Sequence, residues 1–245
     1  MIRRLKRVLR NIIEARGYAV RPTSMFGVSM EADLARLIRE RETPMIIDAG
    51  ANAGQWLTAI KRTFPNARVL CFEPDSRAFA QLRNTAANLS AVECVQCALG
   101  HEPGRLQFFR NVNSVTSSLL PTAAATSNLP YTEALQPLDQ VEVEVRTLSS
   151  EMARRGVDRV DLLKTDCQGF DLRVLQGAAP EIERGHIHLI TTEVLFHREY
   201  ENQSWFYETM PWLLQRGFFL VGIYGVMHDE RGRMLFGDAL FARES

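Results

Sequence analysis

Ile46-Ile47-Asp48-Ala49-Gly50-Ala51-Asn52-Ala53-Gly54, followed 19 residues after its last glycine by Glu73, is the stretch on which the reading of this chain turns. The short apolar run Met45–Asp48 predicts a buried strand, and the glycines beyond it let the backbone turn tightly and approach a ligand. A helix expected over 53–64 brings its free N–H groups to the same place. Glu73 closes a second predicted strand, Arg68–Phe72. A carboxylate there accepts charge-assisted hydrogen bonds from both hydroxyls of a ribose. Both features fall at the carboxyl ends of adjacent strands, where open α/β sheets bind their ligands. The segment therefore points to a nucleoside-containing cofactor.

Working outward, the alternation continues. Glu73-Pro74-Asp75 opens a helix running to about Asn88, and Val92–Ala98 reads as the third strand. Arg105–Arg110 and Val141–Arg146 read as an inserted hairpin. Between them lies Asn111–Gln140, rich in Ser, Thr, Ala, Pro and Asn, with the length of a lid or binding loop. Strand Val160–Thr165, a helix near 169–178, strand Ile187–Val194 and a helix near 204–216 follow. Ser204 is the expected N-cap of the last helix and Gly217 its stop. Phe218–Tyr224 and Leu235–Ala242 close the chain as an antiparallel pair. This order predicts an α/β, doubly wound, mostly parallel seven-stranded sheet with an antiparallel C-terminal strand. The main domain is expected over 43–245, preceded by a basic helical extension over 1–42 that includes a charged helix at 31–42.

The 245 residues, 46% apolar, suit one such domain. No apolar run approaches the roughly 20 residues that cross a bilayer. The 29 basic and 29 acidic side chains balance, which argues against nucleic acid as the main partner. The balance hides an asymmetry. Residues 1–21 carry Arg3, Arg4, Lys6, Arg7, Arg10, Arg16 and Arg21 against Glu14 alone, a net charge of +6. Ile2, Leu5, Val8, Leu9, Ile12 and Ile13 recur there at helical spacing. The segment reads as a basic amphipathic helix, packed on its own domain or docked on an anionic membrane or a partner. Its interleaved arginines do not form the continuous apolar core of a secretory signal, so a cytoplasmic site is expected, with peripheral membrane contact through residues 1–21 as its variant. Cys94 and Cys97 lie in the extended run VECVQCAL, where residues three apart point to opposite faces. They read as ordinary thiols rather than a metal or redox pair.

The spacing of the glycines decides among cofactors. A dinucleotide site needs G-x-G-x-x-G to cradle a pyrophosphate, whereas here Gly50 and Gly54 are separated by three residues and Asp48 adds a negative charge. D-x-G-x-x-x-G with the spaced Glu73 resembles the class I S-adenosylmethionine methyltransferases. The second half narrows this. Lys164-Thr165-Asp166-Cys167-Gln168-Gly169-Phe170-Asp171, then Val174-Leu175-Gln176-Gly177-Ala178, resembles the FkbM-type methyltransferases, in which K-x-D-x-Q/E-G-F/Y-E/D precedes V-L-x-G-A. Glu73-Pro74, Ala98-Leu99-Gly100, Ser117-Ser118-Leu119 and Arg146-Thr147-Leu148 match further segments in the family order, over roughly residues 43–243. Ser149, Thr165 and Cys167 depart from it, standing where Asp, Ile and Val are common.

The resemblance implies a Rossmann-like methyltransferase fold, S-adenosyl-L-methionine as cofactor and a hydroxyl on a small molecule, sugar or glycolipid as acceptor. Asp48, Gly50, Asn52 and Gly54 are then expected at the methionyl part, Glu73 at the ribose, and Ala98 with Leu99 at the adenine. Asp166, ending the fourth strand, is placed at the methyl-transfer point to order the acceptor hydroxyl, serve as base or ligate a divalent ion, with Gln168 orienting the same acceptor. Glu193 and His197 follow the next strand on the same edge, and His197 is the one histidine placed to act as a base. Lys164 reads as a structural ion pair, and His186 and His188 start their strand at the opposite edge. Trp205, Phe206, Tyr207 and Trp212 are candidates for an acceptor wall or for core. No paired-acid motif is present, so no metal is expected. An NAD(P)-dependent oxidoreductase and a non-catalytic nucleoside-binding scaffold are the alternatives. The oligomeric state and the acceptor itself stay open.

Overall fold

A computed structural model of the chain describes residues 9–124, 126 and 129–244. The basic amphipathic helix expected from residue 2 onward lies partly outside these residues; positions 9–14 are helical. The labelled elements begin with helix α1 (Met30–Leu37), strand β1 (Met45–Ala49), α2 (Gln55–Thr63), β2 (Arg68–Phe72) and α3 (Ser76–Ala86). Strands β3 (Val92–Val95), β4 (Ala98–Leu99), β5 (Gly104–Asn111) and β6 (Pro137–Arg146) follow, then α4 (Leu148–Arg155), β7 (Val160–Thr165), α5 (Asp171–Gly177) and α6 (Ala179–Glu183). Strand β8 (Ile187–Leu195), α7 (Phe206–Leu214), β9 (Phe218–Tyr224) and β10 (Phe236–Arg243) complete the order.

Seven strands form one sheet in the order β3-β2-β1-β7-β8-β10-β9. The pairings β1–β2, β2–β3, β1–β7 and β7–β8 are parallel, and β10 runs antiparallel to both β8 and β9. The doubly wound sheet with its antiparallel closing strand is thus the expected one. Its central strands are buried on both faces: all six residues of β7 are buried, Asp161, Lys164 and Thr165 included. One face packs Ile47, Leu70, Leu163 and Ile190 against α4–α6; the other packs Ile46, Val69 and Leu162 with Leu57 and Ile60 of α2 and with Leu34 and Ile38. Helix α1, although within the expected extension, is therefore part of the packed core. Its buried Asp33 accepts hydrogen bonds from the Tyr224 hydroxyl at 2.7 Å and the Gly27 N–H at 2.8 Å.

The helix expected over 31–42 ends at Leu37, the strand expected from Val141 begins at Pro137, and the short helix Ala179–Glu183 has no counterpart in the sequence reading; two further differences concern a strand and a helix cap. The predicted strand Val92–Ala98 divides at Gln96: Val92–Val95 pairs with β2, while Ala98–Leu99 leaves the main sheet to pair with Val145–Arg146 of β6. Together with the β5–β6 hairpin it makes a second, three-stranded sheet. Helix α7 starts one residue later than expected. Trp205 is its N-cap, and the Glu208 carboxylate accepts the Trp205 N–H at 2.9 Å, whereas the Ser204 N–H is already committed to the Gly169 carbonyl at 2.8 Å.

Gly177 ties the second sheet to the first. A Cβ at this position would lie 1.9 Å from the Gly100 carbonyl oxygen, so helix α5 approaches the β4 turn closely only because residue 177 has no side chain. Replacing it forces the two backbones apart. Gly177→Ala is expected to lower unfolding free energy by about 3 kcal/mol, read from the midpoint of a urea transition at unchanged slope.

Candidate functional site

At the carboxyl edge of β1, β2 and β7 the chain encloses a cavity of about 220 Å³. The turn after β1 forms its floor. Gly50 has φ of +78°, and a Cβ there would sit 2.1 Å from the Asp166 carbonyl oxygen. Only glycine permits the β1 and β7 ends to meet this closely. Asn52 is also left-handed (φ +47°), and its side-chain Oδ1 accepts the N–H of Ala53 at 2.7 Å, a local bond that compensates the strained backbone.

Glu73 is 4% exposed and lines the cavity. Its Oε2 accepts the Asn52 N–H and its Oε1 the Asp75 N–H, both at 2.8 Å. Burial pushes its carboxyl up to about 7, against the opposing effect of those two N–H groups. Each oxygen keeps a lone pair for a further donor. Ala98 and Leu99 form an apolar wall with Phe72 and Ala78. An acceptor carboxylate beside an apolar slot fits a ribose joined to a flat heteroaromatic base.

Two expected cofactor contacts are not on the wall. Asp48 is fully buried behind it, with its Oδ1 3.0 Å from the Lys164 Nζ. The pair lies outside hydrogen-bond geometry, so both Asp48 oxygens lack a hydrogen-bond donor. Burial pushes Asp48 up and Lys164 opposes it. Lys164 itself reaches the cavity, its Nζ 3.3 Å from the Gly50 carbonyl and 3.4 Å from Asp166 Oδ2. Burial alone would lower its pKa, but Asp48 and Asp166 outweigh this and hold the ammonium above its usual range. Gly54 instead abuts α3, where a Cβ would meet Leu82 and Thr85 at 3.0–3.1 Å.

The opposite wall is the turn after β7. Asp166 lines the cavity, its side chain 38% exposed. Gln168, at φ +52°, donates from Nε2 to Asp166 Oδ1 and to Glu193 Oε2, both at 2.9 Å. The two carboxylates fix which way round this amide stands, leaving its Oε1 2.8 Å from the Tyr200 hydroxyl. Burial, followed by the negative field of Asp166, raises Glu193 well above the ordinary carboxylate range. Asp171 staples the turn by accepting the N–H groups of Cys167 at 3.0 Å and Gly169 at 3.2 Å; burial pushes it up to about 7. Asp166, Gln168 and Glu193 are thus brought together. His197 is not. It does not line the cavity, its backbone N–H is held by the Leu235 carbonyl at 3.2 Å, and its Nδ1 is buried without a hydrogen-bond partner.

The long segment after β5 roofs the cavity through Ser114, Val115, Ser117 and Leu119. Three side-chain bonds fasten it: Ser114 to Asn52 Oδ1 at 3.2 Å, Ser118 to the Gln168 carbonyl at 2.8 Å, and the Tyr200 hydroxyl to the Thr116 carbonyl at 2.8 Å. Sequence reasoning missed Tyr200; its one signal was the position of an aromatic hydroxyl three residues after His197. Trp205 and Tyr207 stack with ring centroids 5.5 Å apart, yet neither reaches the cavity, nor do Phe206 and Trp212. Among the described residues no three His, Cys, Asp or Glu side chains are grouped as metal ligands.

Residues 48–220 match the family model of the Methyltransferase FkbM domain. The chain is 34% identical over 163 residues to Methyltransferase sdnD of Sordaria araneosa, covering 56% of this chain and 61% of that protein. It is 26% identical over 171 residues to the 2-O-methyltransferase NoeI of Sinorhizobium fredii, covering 67% and 68%. A third relative, the 31-O-demethyl-FK506 methyltransferase FkbM of Streptomyces tacrolimicus, is 31% identical over 157 residues, covering 56% and 60%. The chain spans about three fifths of the length of the first of these relatives.

Glu73 gives the site a pH dependence. Its pKa is raised by burial, so its ionised, hydrogen-bond-accepting form gains population as pH rises through about 7. Calorimetry with S-adenosylhomocysteine is expected to show affinity tightening between pH 6 and pH 8, a trend absent in Glu73→Gln. Glu73→Ala should weaken the same affinity at least tenfold; an unchanged value removes Glu73 from the ribose site.

Proposed function

Since the chain belongs to the FkbM methyltransferase family, we propose that it transfers the methyl group of S-adenosylmethionine to a hydroxyl on a small molecule, sugar or glycolipid. The observation that carries this reading is one cavity with Glu73 on the β2 side of β1 and Asp166 on the β7 side. Glu73 holds the ribose, Ala98 and Leu99 the adenine, and Gly50 with Asn52 the methionyl part. Asp48 and Gly54 support this pocket from behind, Asp48 through Lys164 and Gly54 through the packing of α3. The bound cofactor supplies a methyl group on positively charged sulfur, open to displacement by an oxygen nucleophile.

The remaining work belongs to the chain. Asp166 accepts the proton of the acceptor hydroxyl, and positioning of the two reactants supplies much of the rate. Gln168 has both amide hydrogens committed to carboxylates, so it orients Asp166 and Glu193 rather than the acceptor directly. Lys164, its Nζ 3.4 Å from Asp166 Oδ2, helps hold that carboxylate at the cavity wall. We assign the base to Asp166 in preference to His197, which lies off the cavity. The names of the 2-O-methyltransferase NoeI and of the 31-O-demethyl-FK506 methyltransferase support a hydroxyl acceptor.

Outside the site, the net charge supports a partner other than nucleic acid, and residues 1–21 support peripheral contact with an anionic membrane from the cytoplasmic side. Among the described residues no helix is long and apolar enough to cross a membrane.

Asp166→Asn tests the chemistry. Turnover with a hydroxylated acceptor should fall by roughly a hundredfold or more while S-adenosylhomocysteine affinity stays within twofold; a fully active variant takes Asp166 out of the reaction. Radiolabelled S-adenosylmethionine should bind where NAD(H) and NADP(H) do not, and bound nicotinamide cofactor would favour the oxidoreductase. Tight cofactor binding with no transfer to any of a broad panel of hydroxylated glycans and lipids would favour the scaffold.

A further inference from the structure

We propose that the amino edge of the main sheet is a docking surface for an anionic lipid bilayer, which holds the methyl-transfer cavity on the side facing away from the membrane. The proposal rests on the reading of residues 1–21 as a membrane contact and extends that contact onto the folded domain.

A groove of about 1210 Å³ lies between the end of α1 and the starts of β7, β8 and β9 together with the end of antiparallel β10. All of these termini are at the amino edge of the sheet. Gly50, Glu73 and Asp166 are at the carboxyl edge, so groove and cavity occupy opposite ends of the same strands. Arg36, Arg39, Arg41, Arg159 and Arg243 line the groove against the acids Glu40, Asp161 and Glu244, a net charge of +2, beside the exposed apolar side chains Leu37 and Phe219. Asp161 is the buried acid among them, shared between Arg159 at 2.9 Å and Arg41 at 3.4 Å while it also accepts the Met45 N–H. It holds the two guanidinium groups in place without matching their charge.

The basic segment runs directly into this groove. The Arg36 guanidinium donates to the Thr23 carbonyl, two residues after Arg21, and lies 5.2 Å over the ring of Phe26, itself a groove residue. Further back, Leu9, Ile12 and Ile13 are 51%, 50% and 40% exposed on the helical stretch 9–14. Tyr18 and Phe26 are likewise exposed. Apolar side chains in the open, beside a groove with an excess of arginine over acid, match the boundary between acyl chains and anionic headgroups. Residues 1–21, with a net charge of +6, carry the same sign of charge as the groove. An anionic headgroup has the opposite sign and fits. With that edge on the bilayer, cofactor and acceptor enter from the aqueous side.

Sedimentation with vesicles of phosphatidylglycerol and phosphatidylcholine tests the surface in the full chain. The wild type is expected to pellet at low salt, to release as ionic strength rises, and to ignore pure phosphatidylcholine. Arg39→Glu combined with Phe219→Gln should weaken vesicle affinity at least tenfold, with S-adenosylhomocysteine affinity in solution unchanged as proof of folding. If the wild type pellets and this variant pellets equally well, contact is confined to the N-terminal segment and the groove proposal is overturned. If the wild type never pellets, the membrane reading itself falls. Vesicle-bound protein should bind S-adenosylhomocysteine as free protein does; a tenfold loss on the vesicle overturns the opposite-edge orientation.

Discussion

One buried ammonium holds the centre of this molecule together. Lys164 projects from a central strand to the point where the ends of β1 and β7 converge, between the carboxylates of Asp48 and Asp166 and against the Gly50 carbonyl. Asp48 has no exposure, so without that cation it would be an uncompensated buried charge, the kind of defect that costs several kcal/mol. The same cation touches the β1 side of the cavity through the Gly50 carbonyl and the β7 side through Asp166. Its ring contact with Trp56, 5.6 Å from the centroid, adds the third side of the enclosure. The two halves of the site are thus electrostatically one object, although more than a hundred residues separate them in the chain.

The sequence patterns that survived folding were those decided locally. Arg68–Phe72, Val160–Thr165 and Phe218–Tyr224 begin and end where the sequence reading puts them, because each is bounded by its own local turn. The break at Gln96 was illegible for the opposite reason. Nothing in VECVQCAL stops a strand; Ala98 and Leu99 turn aside because Val145 and Arg146 offer them a partner 47 residues away. Asp48 likewise reads as a wall residue from motif position alone. Its actual place behind Lys164 follows from the β1–β7 register, which pairs Asp48 with Lys164 and which no motif encodes. The ion-pair reading of Lys164 needed only an amine in a buried strand. Its partners needed the sheet.

The roof shows how a segment without regular structure acquires a fixed position. Ser114, Ser118 and the Thr116 carbonyl each find a partner on a different loop of the carboxyl edge. The low-complexity composition that makes 111–140 look like a loop also supplies small hydroxyl side chains, and these fasten it to the loops it covers. Composition indicated a lid; only the fold could say which turns it fastens to.

Tyr200 adds a link between roof and turn. Its phenol owns a single hydrogen and stands 2.8 Å from two oxygens, the Thr116 carbonyl and the amide oxygen of Gln168. That one hydrogen is divided between them, so the fastening of the roof and the amide clamp on Asp166 and Glu193 draw on a common donor, and a phenylalanine at this position would loosen both at once.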